Sequence, residues 1–316
     1  MSIDTPILFL TYKRINTARK VFDVIKKIKP KKLYFASNAP QEMSYEKDLI
    51  MVNKVRDLIN YIDWNCKVVK IFHKKHLPVR ESIPKSLNIF FKFEKEGIIL
   101  EDDCLPSIDF FKFCQKMLKM YRNKNINSIC GSRFVKSKNN EVYFSQYNHA
   151  WGWATWRKSW KNFDPSIKFW KKYKGSKKWK NRNNSSQNKY WEKIFDLTYE
   201  NKINTWDYAW TACAWYNNQL SIIPPVNLIS NIGFGPEATW TVKSKNSKYL
   251  KPNNLKSKNF KKQKIIQNKI YDNEVFLKHF RGDRQGLFAR VKYGFKLLTK
   301  DPATFYLKIK RNLNNV

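Results

Sequence analysis

GIILEDDCLPS, Gly97 to Ser107, is the stretch on which the reading of this chain turns. Gly97 to Leu100 form a four-residue apolar run of strand length, and the run ends in three consecutive acids, Glu101, Asp102 and Asp103. The surrounding protein has 316 residues, with 62 Lys and Arg against 25 Asp and Glu and a formal charge of +37. So cationic a chain concentrates acids at the end of a buried strand only for a local reason. The two local reasons are a solvated turn and a site that holds positive charge.

Working outward from the triplet, the upstream residues alternate strand and helix signals. Pro6 to Leu10, Lys31 to Ser37 and Cys66 to Phe72 read as strands, with the run before Glu101 as the fourth. Between them lie three helical patterns. The first is capped at Asn16 and carries Val21, Val24, Ile25 and Ile28. The second opens at Ser44 and carries Leu49, Val52, Val55 and Ile59. The third starts at Ser82, with Pro84 in its first turn and Leu87, Phe90 and Phe91 facing inward. Strands separated in this way predict βαβ units and a parallel sheet, whose ligands bind outside the carboxyl ends of the strands. The triplet occupies such an end. A further helix from Ser107 presents Phe111, Cys114, Leu118 and Tyr121 on one face.

Composition bounds the rest. With 42% hydrophobic and 16% aromatic residues the chain can bury a sizeable core, and with nine Gly and no low-complexity linker one α/β body is the simplest partition. The five Cys are scattered without a CxxC pair, which points to a reducing compartment and away from a disulfide framework or zinc site. The start, MSIDTPILFLTYKR, has too short an apolar stretch for a secretory or spanning segment, so a cytoplasmic protein is expected. The Lys residues are spread along the chain among abundant Asn, Ile, Phe and Tyr. That distribution fits an AT-rich coding sequence or a surface that meets a polyanion.

Downstream the character changes. NHAWGWATWRKSW (Asn148 to Trp160) places Trp151, Trp153, Trp156 and Trp160 within ten residues, and the Lys/Asn/Trp-rich stretch from Lys168 to Tyr190 reads as a mobile surface loop. In NTWDYAW (Asn204 to Trp210), Thr205 caps a helix with Trp206 and Trp210 on one face. NLISNIGFGPEATWT (Asn227 to Thr241) supplies closely spaced glycines. The tail from Gln285 to Leu313 interleaves Leu287, Val291, Phe295, Leu298, Phe305, Ile309 and Leu313 with Lys and Arg, and Asp301 and Pro302 open its second helix. Such helices either pack on the domain or lie on an anionic membrane surface.

The chemistry these residues offer is specific in kind. Carboxylate oxygens suit Mg²⁺ or Mn²⁺, which fills its remaining positions with water and substrate phosphates. No GxxxxGK[ST] loop is present, so phosphate binding falls to metal and scattered Lys and Arg. Asp207, in the first turn of a helix, is stabilised as an anion by the helix dipole, while flanking indoles raise its basicity. A plain N-terminal acid is the bland alternative. The tryptophans suit either a packed core or the C–H faces of sugars.

ILEDDCLPS after a βαβ body, followed in order by AWGWATWRKSW, WDYAW and NIGFGPEATWT, resembles the bacterial GT-A fold glycosyltransferases related to N-acetylglucosaminyltransferase I. The similarity runs from about Pro6 to Thr241. It implies a Rossmann-like nucleotide-diphospho-sugar transferase fold with a mixed central sheet and a helical C-terminal extension. The glycosyltransferase domain would cover 1–245, with a nucleotide-binding half (1–125) and an acceptor half (126–245), and the basic extension 246–316. It implies Asp103 as the metal ligand and Asp207 as the catalytic base. Thr11, Arg14, Asn38, Arg80, Lys85, Glu101 and Asp102 would contact the nucleotide and donor, and Trp151, Trp153 and Trp206 the acceptor or sugar.

Three departures stand out. Asn38 sits in an N-A-P turn where relatives carry D-G-P, HLPVRES (His76 to Ser82) lacks a glycine, and Trp240 replaces a histidine; the last two departures imply altered donor handling, another ligand such as His149, or a weakened enzyme. The implied enzyme is metal-dependent, using Mn²⁺ or Mg²⁺, and inverting. It moves a sugar from a nucleotide-sugar donor, UDP-linked, to a hydroxyl of a glycan or lipid-linked acceptor in surface polysaccharide synthesis. It would work in the cytoplasm as a peripheral protein on the inner face of the membrane, with no specific nucleic acid as partner. The rival readings are a nucleotidyltransferase or sugar-nucleotide hydrolase, and a non-enzymatic basic protein on nucleic acid or membrane.

Overall fold

The computed structural model describes residues 3–136, 141–233, 251–257, 259–280 and 299. Trp240 and the tail from 285 to 313, Thr299 aside, lie outside the described residues.

The first half is built of βαβ units. β1 (Ile7–Thr11), α1 (Ile15–Ile28), β2 (Lys32–Ser37), α2 (Tyr45–Arg56), β3 (Lys67–Phe72), α3 (Val79–Phe93) and β4 (Glu96–Glu101) follow in order. β5 (Cys104–Pro106), α4 (Ile108–Met120), β6 (Ile126–Cys130), β7 (Tyr143–Ser145), β8 (Trp153–Trp156) and α5 (Arg157–Trp160) come next. The helices α6 (Trp170–Lys174), α7 (Lys177–Lys180), α8 (Ser185–Tyr199) and α9 (Asp207–Tyr216) precede β9 (Leu220–Ile223), β10 (Ile229–Asn231) and α10 (Lys269–Lys278).

Eight strands form one sheet in the order β3-β2-β1-β4-β8-β6-β9-β7. β1 to β4 are parallel, β8 is antiparallel to both β4 and β6, β9 is parallel to β6, and β7 closes the edge antiparallel to β9. The α/β, Rossmann-like class with a mixed central sheet expected from the sequence is therefore the fold observed. Alternation along β1 shows how both faces are covered. Ile7 and Phe9 enter a core shared with α1 and α4, while Leu8 and Leu10 enter a second core shared with α3 and the tryptophans.

The structure corrects the sequence in four places. Helix α1 begins at Ile15 with Arg14 before it, so Asn16 lies in the first turn and is not its cap. Helix α3 begins at Val79, three residues before Ser82, because the N–H groups of Glu81 and Ser82 both donate to the Pro78 carbonyl; Pro84 is consequently inside the helix. Cys104 to Pro106, which no strand pattern marked, is β5. It pairs antiparallel with β10 in a separate two-stranded sheet, with Cys104 opposite Asn231 and Pro106 opposite Ile229.

The largest correction concerns Lys168 to Tyr190, which is no mobile loop. It forms α6, α7 and the start of α8, because Trp170, Tyr173, Trp179 and Trp191 point inward onto Phe195 and Trp215. Trp170 and Trp179 meet edge to face at 4.8 Å. Asn184 caps α8 by accepting from the Gln187 N–H at 2.9 Å. The lysines that suggested a loop form the solvent face.

Candidate active site

The acidic triplet joins the last residue of β4, Glu101, to the two-residue turn before β5, Asp102 and Asp103, at the carboxyl edge of the parallel half. The β1–α1 loop meets it there. Asp48 on α2 fixes that loop by accepting from Tyr12 Oη at 2.7 Å and Lys13 Nζ at 2.8 Å. Burial by itself would raise the Asp48 carboxyl, but the bonds from Lys13 and Tyr12 hold it down at about 2. Thus anchored, the Tyr12 N–H donates to Asp102 Oδ2 at 3.2 Å, and Arg14 Nη2 pairs with Asp102 and, at 2.9 Å, with Asp103 Oδ2.

One guanidinium thus serves a crowd of carboxylates. Burial alone would lower Arg14, but the charges of Asp102 and Asp103 outweigh it and raise its pKa. Burial raises Asp102 despite Arg14. Glu101 is raised well above the usual carboxylate range, first by burial and then by the charges of Asp103, Asp102 and Asp207. Trp206, next to Asp207, stacks at 5.5 Å on Trp153, the strand partner of Ile99 on β4, so α9 carries Asp207 toward the end of β4, where its charge reaches Glu101 although 106 positions separate the two in the chain. Asp207 is itself pushed up by burial, against a 2.5 Å hydrogen bond donated by Thr205 Oγ1 and the N–H groups of Asp207 and Tyr208.

Gly233 closes the other side. The Ile232 N–H donates to the Asp103 carbonyl at 2.8 Å, which carries the chain past the triplet. A Cβ on Gly233 would stand 2.2 Å from Asp103 Oδ2 and 2.8 Å from Arg14 Nη1, so only glycine leaves that carboxylate open. The oxygen-only donors and this opening fit a hard cation. Among the described residues no group of three or more His, Cys, Asp or Glu is arranged to hold a metal by itself.

The remaining expected residues fall in different places. Thr11 is buried and donates to the Ala36 carbonyl at 2.9 Å. Asn38 spends its amide on the β3–α3 loop: Nδ2 donates to the Leu77 carbonyl at 2.8 Å, and Oδ1 accepts from the N–H groups of Ala39 and Leu77. Arg80 turns to Asn201, donating from Nη1 to its carbonyl at 3.0 Å and to Oδ1 at 2.7 Å. Lys85 is exposed on α3. Trp153 and Trp206 stack at 5.5 Å inside the core, both nearly inaccessible, whereas Trp151 is half-buried beside Phe134 and His279. His149 is buried against Phe134 at 4.5 Å, and burial lowers its pKa well below the usual imidazole range.

The structure therefore gathers Arg14, Glu101, Asp102, Asp103 and Asp207, and leaves Thr11, Asn38, Trp153 and Trp206 as framework. Tyr12 and Gly233 join the site unannounced; Thr205, expected to cap α9, instead donates to Asp207, and the cap position falls on Trp206 with no side-chain bond. Only Gly233 carried a signal, since a glycine in N-I-G-F-G beside a strand end marks a close approach. Tyr12 contributes through its backbone, which no residue type reveals.

No family model matches the chain, and no curated protein matches it. Among solved structures it is similar to HddC from Yersinia pseudotuberculosis, at 13% identity over 49% of this chain and 77% of that one, with a TM-score of 0.31. It is also similar to a 4-diphosphocytidyl-2C-methyl-D-erythritol synthase from Anaerococcus prevotii, at 13% identity over 61% of this chain and 83% of that one, with a TM-score of 0.31. A third is the glycosyltransferase GlyE of Streptococcus pneumoniae, at 9% identity over 87% of this chain and 64% of that one, with a TM-score of 0.28.

Proposed function

We propose that the chain is a metal-dependent, inverting glycosyltransferase of the type related to N-acetylglucosaminyltransferase I. It transfers a sugar from a UDP-sugar to a hydroxyl of a glycan or lipid-linked acceptor. The observation that carries this reading is the meeting of two acidic groups of different character at one sheet edge. One is the triplet with its arginine; the other is a separate, desolvated carboxylate on a helix N-terminus.

Asp103 would hold the cation, Mn²⁺ or Mg²⁺, with Asp102 and Glu101 toward the donor, and the ion when bound would neutralise charge on the leaving diphosphate. Arg14 adds a fixed positive charge at the same place. Asp207 takes the proton from the acceptor hydroxyl as its oxygen bonds to the anomeric carbon and the bond to the diphosphate breaks. Its raised pKa makes it a stronger base than an ordinary carboxylate, and Thr205 holds one of its oxygens so that the other receives the proton. Work at the inner face of a membrane belongs to the same proposal. Among the described residues no helix is long and apolar enough to cross one.

The test is release of UDP from a panel of UDP-sugars, with and without Mn²⁺ and with a crude lipid-linked glycan fraction as acceptor. Release that needs both supports the reading. Release that needs no acceptor identifies a hydrolase, and pyrophosphate-dependent formation of UTP identifies a nucleotidyltransferase; either result overturns it.

A further inference from the structure

Helices α6, α7 and α8 lie over one aromatic core. Trp170 meets Trp179 at 4.8 Å and Phe195 at 5.2 Å, and Trp191 meets Phe195 at 5.4 Å, so all three helices turn their tryptophans the same way and their opposite sides form one outer layer. Helix α10 extends that layer. Gln187 Nε2 on α8 donates to Asn273 Oδ1 at 3.0 Å, and Tyr190 meets Phe276 edge to face at 5.5 Å.

The charge of this layer is not balanced within it. Lys177, Lys180, Lys189 and Lys193 are exposed, and none has a carboxylate within ion-pair distance among the described residues. The acids that could have served them are occupied. Glu192 accepts from the Trp179 indole at 2.7 Å, and Asp196 accepts from the Trp170 indole at 2.8 Å and from Lys174 at 2.7 Å. Arg182 adds to the crowding: burial, and then the Arg182 charge, lower the pKa of Lys178. A face that gathers like charges and spends its own acids inward is complementary to an anionic partner.

Apolar side chains beside the lysines decide which anionic partner fits. Ile270 is 80% exposed and Leu277 39%, one turn to either side of the Asn273 that holds α10 to α8, and Ile266 just before the helix is 61% exposed. Tyr216, also exposed, stacks on Phe169 at 4.2 Å, with Lys178 Nζ 5.5 Å from its ring. Ammonium groups on long stems, isoleucine, leucine and tyrosine together suit a bilayer interface: the charges stay among headgroups while the apolar groups enter the acyl boundary. A soluble polyanion would use the lysines and leave Ile266, Ile270 and Leu277 in water.

We propose that the outer layer of α6, α7, α8 and α10 is a docking surface for a bilayer that contains anionic phospholipid. Its purpose, though not its chemistry, rests on the glycosyltransferase reading: docking there brings the chain to lipid-linked acceptors.

The experiment is sedimentation of the full chain with vesicles of phosphatidylcholine alone and of phosphatidylcholine with phosphatidylglycerol, at low and high salt, beside binding to a duplex oligonucleotide. It compares wild type, the combined variant Lys177→Glu/Lys180→Glu/Lys189→Glu/Lys193→Glu and the pair Ile270→Ser/Leu277→Ser. All six side chains are exposed, so neither variant disturbs the core, and melting curves verify it. Because residues 281–316 are present in all three proteins, a difference between them reports this layer. Wild type is expected to bind the anionic vesicles and not the neutral ones, and less at high salt. The charge reversals should weaken that binding by roughly tenfold or more, and the apolar pair several-fold with oligonucleotide binding unchanged. Absence of wild-type binding, or anionic-vesicle binding kept by the charge-reversed variant, overturns the proposal. Vesicle binding unchanged in Ile270→Ser/Leu277→Ser also overturns it and identifies a site for polyanions in general. The Mn²⁺–UDP shift in melting temperature is measured alongside. If that shift is absent from wild type while the vesicle results hold, the donor reading fails and the docking surface stands; if the shift is present and the variants sediment like wild type, the surface fails and the donor reading stands.

Discussion

At the carboxyl ends of β1 and β4, four carboxylates crowd around one arginine, and burial raises those of Glu101, Asp102 and Asp207. In α6 to α8 the arrangement is inverted. Nine lysines between Lys168 and Lys193 surround a core of Trp170, Trp179 and Trp191, with Glu192 as the single acid of that stretch. The lysine face keeps its charges in water and therefore costs little. The acid cluster sets like charges together where water is scarce, an arrangement that persists only if folding elsewhere supports it. The tryptophan core is part of that support, because Trp179 and Trp191 pack on Trp215 of α9, the helix that presents Asp207, while Trp206 and Trp210 stack around Trp153 and Trp160. One region stores unfavourable electrostatics for use, and the other supplies the rigidity that holds it.

The contrast is broken most severely at Asp207. Asp207→Asn keeps the shape and removes the base, so turnover should fall by ~10²–10⁴-fold while Mn²⁺ and UDP still stabilise the protein. Steady-state kinetics beside a melting curve separate the two effects. In the other region, Trp179→Ala leaves a void among Trp170, Tyr173, Phe195 and Trp215 and strands the Glu192 carboxylate that its indole N–H meets at 2.7 Å. Urea unfolding should register a loss of ~3–5 kcal/mol, as for other buried tryptophan truncations.

Gly233→Ala sharpens the comparison, since it intrudes on the acid cluster alone. The added methyl would lie 2.2 Å from Asp103 Oδ2, so titration of UDP in the presence of Mn²⁺ should show at least tenfold weaker binding, with the unfolding midpoint nearly unchanged. The smallest effect expected is on pH dependence. Asp207 acts only when ionised, and burial raises its pKa, so the acid limb of kcat/KM should lie above the ordinary carboxylate range. Thr205→Val removes a bond that lowers this pKa; the limb should move further up, activity returning at higher pH. A limb that stays in place would separate Thr205 from the base.

How far the residues announced all this differs between the same two regions. The parallel half was legible because strand and helix periods alternate cleanly from Ile7 to Glu101, and a carboxyl edge follows from parallel connectivity. Within the site, Asp103 and Asp207 were marked by motif, yet their meeting depends on α9 packing across the sheet, which no local pattern encodes. Nor does any local pattern encode that the Asn38 amide bonds the Leu77 backbone. In α6 to α8 the buried residues are so few among lysine and asparagine that average polarity concealed the helices. The two-residue turn that makes β5 a strand became visible only once β10 was beside it.

The most direct test of the central claim is a thermal-shift series with Mn²⁺, UDP and both together, on wild type and Asp103→Ala. A ligand at a hundredfold excess over its Kd stabilises a fold by ~2.7 kcal/mol, enough for several degrees in a chain of this size. Mn²⁺ and UDP together are expected to raise the wild-type Tm well beyond either alone, and Asp103→Ala to abolish the joint effect while melting like wild type without ligands. An equal joint shift in Asp103→Ala, or none in wild type, would contradict the central claim.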